Sequence, residues 1–422
     1  MEEIANAREG GGEPLVLPRS EHSLSRRLVD SDALKILFRL RRLGFTAYLT
    51  GGAVRDMLLG KTPKDFDIAT DARPGQIKKH FANAFIIGRR FRLAHVRFRG
   101  GKVIEVATFR KNPGPQAAAV PEGVGAPPHA FGTPEEDAWR RDITINALFY
   151  DPGTATVIDH VGGLADLRQR RIRVIGDPAE RFREDPVRIW RVIRYAARLD
   201  FTIGDDVLGQ IIQQRHRLEE CSPARLYEEF CKDLLGPRTR AVVSLLRENG
   251  ILGHLLGRIG EAYESDRAAF GRFAALAAVV DAEKEAGRSS ALAETAALFF
   301  WPWAEPLLAS AGPDPFPSLK KAFLNSGMAV ALPKVMRAHI IDILALSGRM
   351  MRALSDGRMR WSARGRAHYP FSSRLCFLAS QGRLPGEGES FETLFHQAFP
   401  GRPTSGSGPR RRRRRPRRPA AQ

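Results

Sequence analysis

A chain of 422 residues, 43% hydrophobic and 27% charged, is long enough for two to four domains and apolar enough to bury their cores, which excludes a mainly disordered protein. Its formal net charge is +20; the terminal stretch PRRRRRRPRRPAAQ holds eight arginines and no acid, so the rest of the chain keeps +12 and a polyanionic partner is implied. No apolar run nears the ~20 residues of a membrane span, the acidic, Gly-rich start MEEIANAREGGGEP lacks a signal core, and Cys221, Cys231 and Cys376 form no CxxC pair; a membrane protein, a secreted one and a disulfide or zinc framework are set aside in favour of a cytoplasmic protein.

Residues 1–25 read as disordered. From 24 to 43 apolar residues recur at helical spacing (Leu28, Leu34, Leu37, Leu40), and Gly44 stops the helix. Residues 45–50 read as a strand, Gly51-Gly52 as a turn, 53–59 as a helix closed by Gly60, and 64–69 as a second strand. A helix over 72–82, strands at 85–87 and 94–98, a Gly100-Gly101 hairpin turn and a strand over 103–109 follow; 111–133, rich in Pro, Gly and Ala, reads as a mobile loop. Between Asp166 and Asp200 ten arginines face six acids and the period turns helical. From about 205 to 400 the chain is Leu/Ala-rich with almost no strand signal. The expected organisation is a disordered N-terminus (1–25), an α/β head (26–160), a basic helical neck (161–225), an all-α body (226–400) and a disordered Arg-rich tail (401–422).

Asp65 and Asp67 stand two apart on the second predicted strand, so alternation puts both carboxylates on one face. Two such carboxylates need a compensating cation, and Mg²⁺, which takes one or two carboxylates plus substrate phosphates, is the hard candidate; the same pattern is also common on plain surfaces. A strand, Gly51-Gly52 and a helix start together offer backbone N–H groups to phosphate, with Arg55 placed to clamp it. Glu105 alternates with Ile104 and Val106 and so faces away from the core side, either as a third acid or as a solvent-facing residue.

These residues carry a family resemblance. GGAVRDMLLGKTPKDFDIAT resembles the signature of the nucleotidyltransferases that include bacterial poly(A) polymerase and the tRNA CCA-adding enzymes (the class II tRNA nucleotidyltransferase/poly(A) polymerase family). FGTPEEDAWRRDITINALFYDP at 131–152, GGLADLRQRRIRVIGDP at 162–178 and RFREDPVRIWRVIRYAARLDF at 181–201 agree with it in order. The resemblance implies an α/β, DNA-polymerase-β-like nucleotidyltransferase head followed by an all-α neck and body. It implies two-metal nucleotidyl transfer with Mg²⁺, and ATP as substrate. It makes Asp65 and Asp67 the metal holders and Glu105 a third acid. It places Gly51, Gly52 and Arg55 by the triphosphate and Arg141 on the nucleotide's phosphate or ribose, and counts Asp142 in the catalytic site, where capping, or pairing with Arg55 or Arg141, is the open alternative.

In the neck, Asp185-Pro186 has the form of an N-cap and first helical residue, and Glu184–Arg188 that of an i,i+4 pair. Arg188, Arg191, Arg194 and Arg198 form one basic stripe, which could be a solvated face. The resemblance implies instead that Asp185, Arg188 and Arg191 read the Watson–Crick edge of the incoming base, a carboxylate accepting from an exocyclic amine and an arginine donating to ring or carbonyl acceptors.

The head motifs are common to both activities. GRRFRL-HV, from Gly88 to Val96, and ALPKVMRAHIIDILALSGRM, 331–350, resemble the poly(A) polymerase version, and no His-Asp phosphohydrolase motif follows 205. Ile143, where Phe is usual, and Trp190, where an aliphatic residue is usual, are mild departures. The expectation is template-independent addition of AMP from ATP to RNA 3′ ends with release of pyrophosphate. CCA (or A) addition to tRNA is the alternative, and a non-catalytic RNA-binding protein on the same scaffold the further one. The Arg-rich tail is a candidate contact for RNA or for RNA-processing proteins.

Overall fold

A computed structural model describes residues 13–88, 93–111, 131–287, 291–355 and 368–381. The chain divides into two units, Met1–Asp266 with Ser326–Ala331, and Arg267–Asn325 with Leu332–Gln422. The resembling segment Arg89–Arg92, most of the Pro/Gly/Ala-rich stretch 111–133 and the tail 401–422 lie outside the described residues.

In the first unit eight strands form one sheet: β1 (Leu15–Leu17), β2 (Ala47–Thr50), β3 (Asp67–Thr70), β4 (Ala84–Ile87), β5 (Leu93–Arg97), β6 (Val103–Thr108), β7 (Phe149–Asp151) and β8 (Thr156–Asp159). Their order is β1-β8-β7-β2-β3-β6-β5-β4. Neighbours run antiparallel except β3 and β6, which are parallel, with Asp67 opposite Glu105. Strand alternation does the sorting: Ile104 and Val106 are buried while Glu105 between them is exposed. Five helices accompany the sheet: α1 (Ser31–Arg42), α2 (Gly52–Leu58), α3 (Pro74–His80), α4 (Pro134–Trp139) and α5 (Gly163–Gln169). Phe109, Phe149 and Tyr48 pack within 5.9–6.1 Å of one another, centroid to centroid, in a cluster with Ala69, Ala138, Ala147, Val161 and Ile175. Asp159, buried, closes the start of α5 by accepting from the backbone N–H groups of Val161, Gly162, Gly163 and Leu164 at 2.8–3.0 Å.

Two expectations about the N-terminal part are corrected. Residues 13–25 are ordered: Leu15–Leu17 pair with Val157–Asp159 at the sheet edge and Leu24 is fully buried. The segment is short and polar, so only the edge it joins orders it. The helix expected over 24–43 begins at Ser31, because Asp30 accepts from the N–H groups of Asp32 and Ala33 and caps it there. Its buried face is Ala33, Ile36, Leu37 and Leu40, while Leu28, in a preceding 3₁₀ turn, is 49% exposed.

The helical run of this unit is α6 (Pro178–Glu184), α7 (Val187–Leu199), α8 (Asp205–Gln214), α9 (Pro223–Leu235), α10 (Thr239–Glu248), α11 (Leu252–Leu256) and α12 (Arg258–Ser265). A two-residue parallel pair, β9 (Arg171–Ile172) with β10 (Thr202–Ile203), ties the chain before α6 to the chain after α7. The expected neck–body boundary at 225/226 falls inside α9.

The second unit contains α13 (Arg267–Glu285), α14 (Leu292–Ser310), α15 (Phe316–Leu324), α16 (Lys334–Ser355) and α17 (Tyr369–Gln381). Phe273, Phe299, Phe300, Phe323 and Trp303 form a chain of ring contacts at 5.0–5.1 Å. Gly348 lets α16 close on α14, since a Cβ there would meet Leu308 Cδ2 at 2.7 Å. The three cysteines are unpaired, Cys221 and Cys376 buried and Cys231 half-buried.

Candidate active site

The site begins on β3. Asp67 is its first residue and Asp65 lies two positions before the strand, exposed, so the expected two-residue alternation on one strand does not apply. What sets Asp67 is its neighbour across the parallel pair, Glu105. Burial and then the Glu105 carboxylate push Asp67 up to about 6, with Arg141 pulling the other way and Asp65 adding to the rise. His95 on β5 stands opposite Glu105 in the hairpin register, its Nε2 3.2 Å from Glu105 Oε1.

The Gly51-Gly52 turn adjoins this pair. Gly51 holds φ +72° and ψ −142°, a conformation suited to glycine. A Cβ placed on it would lie 3.6 Å from both Asp67 Oδ2 and Arg141 Nη1, so the turn sits between the carboxylate and the guanidinium. Arg55 is not free. It is 8% exposed, donates from Nε and Nη2 to Asp56 Oδ1 at 2.9 and 2.7 Å and from Nη1 to Asn146 Oδ1, and lies 5.7 Å from the Tyr195 ring.

Arg141 is held by a residue that motif reasoning missed. Asp137, 1% exposed, accepts from Arg141 Nε and Nη2 at 3.2 and 2.9 Å, from Arg140 Nε at 2.8 Å and from the Arg110 backbone N–H. Burial alone would raise its carboxyl, but Arg141 and Arg140 win and hold it below the usual carboxylate range. The spacing Asp137-x-x-x-Arg141 is the i,i+4 signal that could have found it. Arg141 Nη1 also donates to the Asn146 carbonyl at 3.0 Å.

The neck differs from its expected form in three ways. Asp185 does not cap α7: it ends α6, no side-chain cap bond forms at α7, and Asp185 Oδ2 instead accepts from Arg225 Nη2 on α9 at 2.8 Å. The arginine stripe divides. Arg194 is 3% exposed and paired with Glu229 and Asp233, the latter also taking Trp190 Nε1 at 2.6 Å, while Arg198 bonds the Lys232 carbonyl; both bind α7 to α9. Arg191, its side chain 34% exposed, is thereby parted from Arg194, which α9 buries against Glu229 and Asp233. Asp142 pairs with neither Arg55 nor Arg141, whose donors already have partners. Its Oδ1 accepts from Arg188 Nε at 3.0 Å and its Oδ2 lies 2.6 Å from Arg191 Nη1. Burial works against the charge on Arg191, but Asp142 together with Tyr195 and Glu229 outweighs it and holds the guanidinium protonated.

Sites of opposite character result: Asp65, Asp67, Glu105, Gly51, Gly52 and Arg141 gather at the β2–β3–β6 end, whereas Asp142, Asp185, Arg188 and Arg191 gather at the start of α7. Among the described residues no three His, Cys, Asp or Glu side chains lie close enough to enclose a metal ion by themselves. Mg²⁺ commonly takes only one or two carboxylates and completes its shell with phosphates and water. Asp67, pushed up to about 6 beside Glu105, is short of positive charge in the way such an ion would supply, so the residues fit it.

Residues 47–173 match the family described as the poly A polymerase head domain, and 200–260 match the probable RNA and SrmB-binding site of polymerase A. The chain is 46% identical over 239 residues to poly(A) polymerase I of Salmonella typhi, covering 55% of this chain and 51% of that one. It is 42% identical over 246 residues to poly(A) polymerase I of Haemophilus influenzae, covering 57% and 54%. With the CCA-adding enzyme of Geobacillus stearothermophilus it shares 36% over 247 residues, covering 58% and 60%. The chain thus spans about half the length of the poly(A) polymerases it matches. Among solved structures, the Bacillus stearothermophilus CCA-adding enzyme in complex with CTP superposes with a TM-score of 0.63 at 28% identity, covering 87% of this chain and 81% of that one.

Proposed function

Because the chain belongs, through its head and the segment that follows, to the tRNA nucleotidyltransferase/poly(A) polymerase family, we propose that it is a template-independent polynucleotide adenylyltransferase. The observation that carries this reading is the identity of 46% and 42% to two poly(A) polymerases I, against 36% to a CCA-adding enzyme, over similar lengths of 239, 246 and 247 residues. In the reaction an RNA 3′-oxygen attacks the α-phosphorus of ATP, the bond to the β-phosphate oxygen breaks, and pyrophosphate leaves. Asp65 and Asp67 would hold a divalent cation, which when bound would supply charge neutralisation for the displacement. Glu105 crowds Asp67 and so raises the site's demand for that cation. The Gly51-Gly52 turn and Arg141 face the triphosphate, with Arg141 preset by Asp137 so that no side-chain ordering is needed when phosphate arrives. Arg55 contributes by bracing Asn146, with one guanidinium face towards Tyr195. Asp185, Arg188 and Arg191 read the base edge, and the segment 200–260 and the basic tail contact RNA. A cytoplasmic location accords with this reading; among the described residues no helix is long and apolar enough to cross a membrane.

The fold likeness to the CCA-adding enzyme at a TM-score of 0.63 favours a second reading, addition of C, C and A to tRNA. Incubation with Mg²⁺, an RNA primer and either ATP alone or CTP with ATP separates the two. Long tracts of A on non-tRNA primers are expected. Addition restricted to C, C and A on tRNA ends would overturn the adenylyltransferase reading, and no incorporation from any nucleotide would overturn both.

A further inference from the structure

Resting on the proposed nucleotidyl transfer, we propose that Asp142 is a positioning residue for base selection: it anchors Arg188 and Arg191 and takes no part in holding the metal. Both carboxylate oxygens are committed, one to Arg188 Nε at 3.0 Å and the other to Arg191 Nη1 at 2.6 Å, with the Asp142 and Arg188 side chains only 15% and 12% exposed. The anchor is itself pinned from two sides. The Asp142 carbonyl accepts from Ile175 N–H at 3.3 Å, and Arg181, 5% exposed, donates from Nη2 to the carbonyls of Arg140 and Arg141 at 2.8 Å each.

Arg188 is held on two of its edges. Nε meets Asp142, and Nη1 meets the Arg181 carbonyl and Glu184 Oε2 at 3.1 Å each, which leaves the Nη2 edge as the donor presented to a base. A guanidinium fixed in this way discriminates acceptor geometry more sharply than a mobile one, because a mismatched base cannot be met by rotating the side chain. Arg141 and Asp142 are consecutive, and their side chains serve opposite ends of the nucleotide site: Arg141 lies beside Gly51 and Asp67, Asp142 beside the base readers. One peptide bond therefore sets the base-reading arginines at a fixed reach from the triphosphate turn.

The test compares the wild-type chain with Asp142→Asn, Asp142→Glu, Arg188→Met and the double variant that carries both D142N and R188M. For each, kcat and KM are measured for ATP, CTP, GTP and UTP on one RNA primer, with a Mg²⁺ titration and calorimetric nucleotide affinities. D142N is expected to lower the preference for ATP by about tenfold, mostly through KM, and to add less than about threefold on top of R188M, as residues acting through one another do. The Mg²⁺ half-saturation stays at the wild-type value. D142E, which keeps both acceptors one methylene farther out, recovers part of the preference and carries the same comparison if D142N does not fold. Equal losses for all four nucleotides, a multiplied loss in the double variant or a raised Mg²⁺ requirement would overturn the anchor role. An unchanged preference in R188M would remove base reading by Arg188 itself, and the anchor role with it. A shift in R188M without one in D142N would sink the anchor role alone. Absence of turnover in the wild type would refute the adenylyltransferase reading and leave the affinity series to decide whether Asp142 acts through Arg188.

Discussion

Two groups of carboxylates in the first unit meet their charge in opposite ways. On the sheet, Asp67 faces another carboxylate, Glu105, across the β3–β6 pair, and burial together with that neighbour pushes it up to about 6. Around α4, α7 and α9, Asp137, Asp142, Glu229 and Asp233 are each met by arginine: Arg140 and Arg141, Arg188 and Arg191, or Arg194. A saturated carboxylate is scaffold, since its charge is already answered within the fold. A crowded one stores a demand for a cation from outside. On the proposed reading one arginine-rich helix contributes both base recognition and packing, and each half of the division can be attacked separately.

The largest effect is expected at Asp67. Asp67→Asn should lower AMP incorporation by roughly a thousandfold or more, the several kcal/mol ascribed to charge stabilisation by a bound metal. The same change should raise thermal stability near neutral pH. The folded-state value of Asp67 lies above the unfolded one, so its ionised form costs stability above about 6, and that cost disappears below the ordinary carboxylate value of 3.8. A melting point for D67N at or below wild type at pH 7.5, with activity intact, would contradict the crowded-carboxylate account.

Arg194→Met should act in the reverse sense. It removes the buried cation shared by Glu229 and Asp233, leaving them only Lys232 and the more distant Arg198, which costs about 3–5 kcal/mol by the usual measure of a broken buried pair. Calorimetry is expected to show the loss in the unfolding of the full chain, and an unchanged melting temperature would mean that the network is not structural.

A smaller change follows from Asp137→Asn, about 1–3 kcal/mol for leaving Arg140 and Arg141 without their charged acceptor. Here the carboxyl is held below 3.8 in the fold, so its contribution is present in full above the unfolded value and is lost as pH falls through the depressed one. The gap in melting temperature between wild type and D137N should therefore be wide at pH 6–7 and close in strong acid. A gap independent of pH would assign the loss to packing alone.

How much of this was legible beforehand depended on the distance over which each interaction acts. The β5–β6 hairpin follows from Gly100-Gly101 but its register does not: a two-residue turn counted outward would set Val96 opposite Glu105, whereas the turn also takes in Arg99 and sets His95 there; Asp137 with Arg141 follows from helical spacing. The parallel pairing of β3 with β6 does not, because β4 and β5 intervene in the chain and nothing local records which strand edge β6 will occupy. Nor could the arginine stripe be divided by periodicity: Arg191 and Arg194 look equivalent until α9 brings Glu229 and Asp233 against one of them.

The sequence by itself determined the chemistry on offer: a glycine turn after a strand, Asp65 and Asp67 on the next segment, an arginine-rich helix and a family likeness carried by four ordered blocks. Those are properties of residue type and short spacing, which survive without a fold. Only the tertiary structure decided the assignments within that set. It placed Asp142 on Arg188 and Arg191, Arg225 on Asp185 and Glu105 on Asp67, because whether a charge is answered or left wanting depends on which distant element folds beside it.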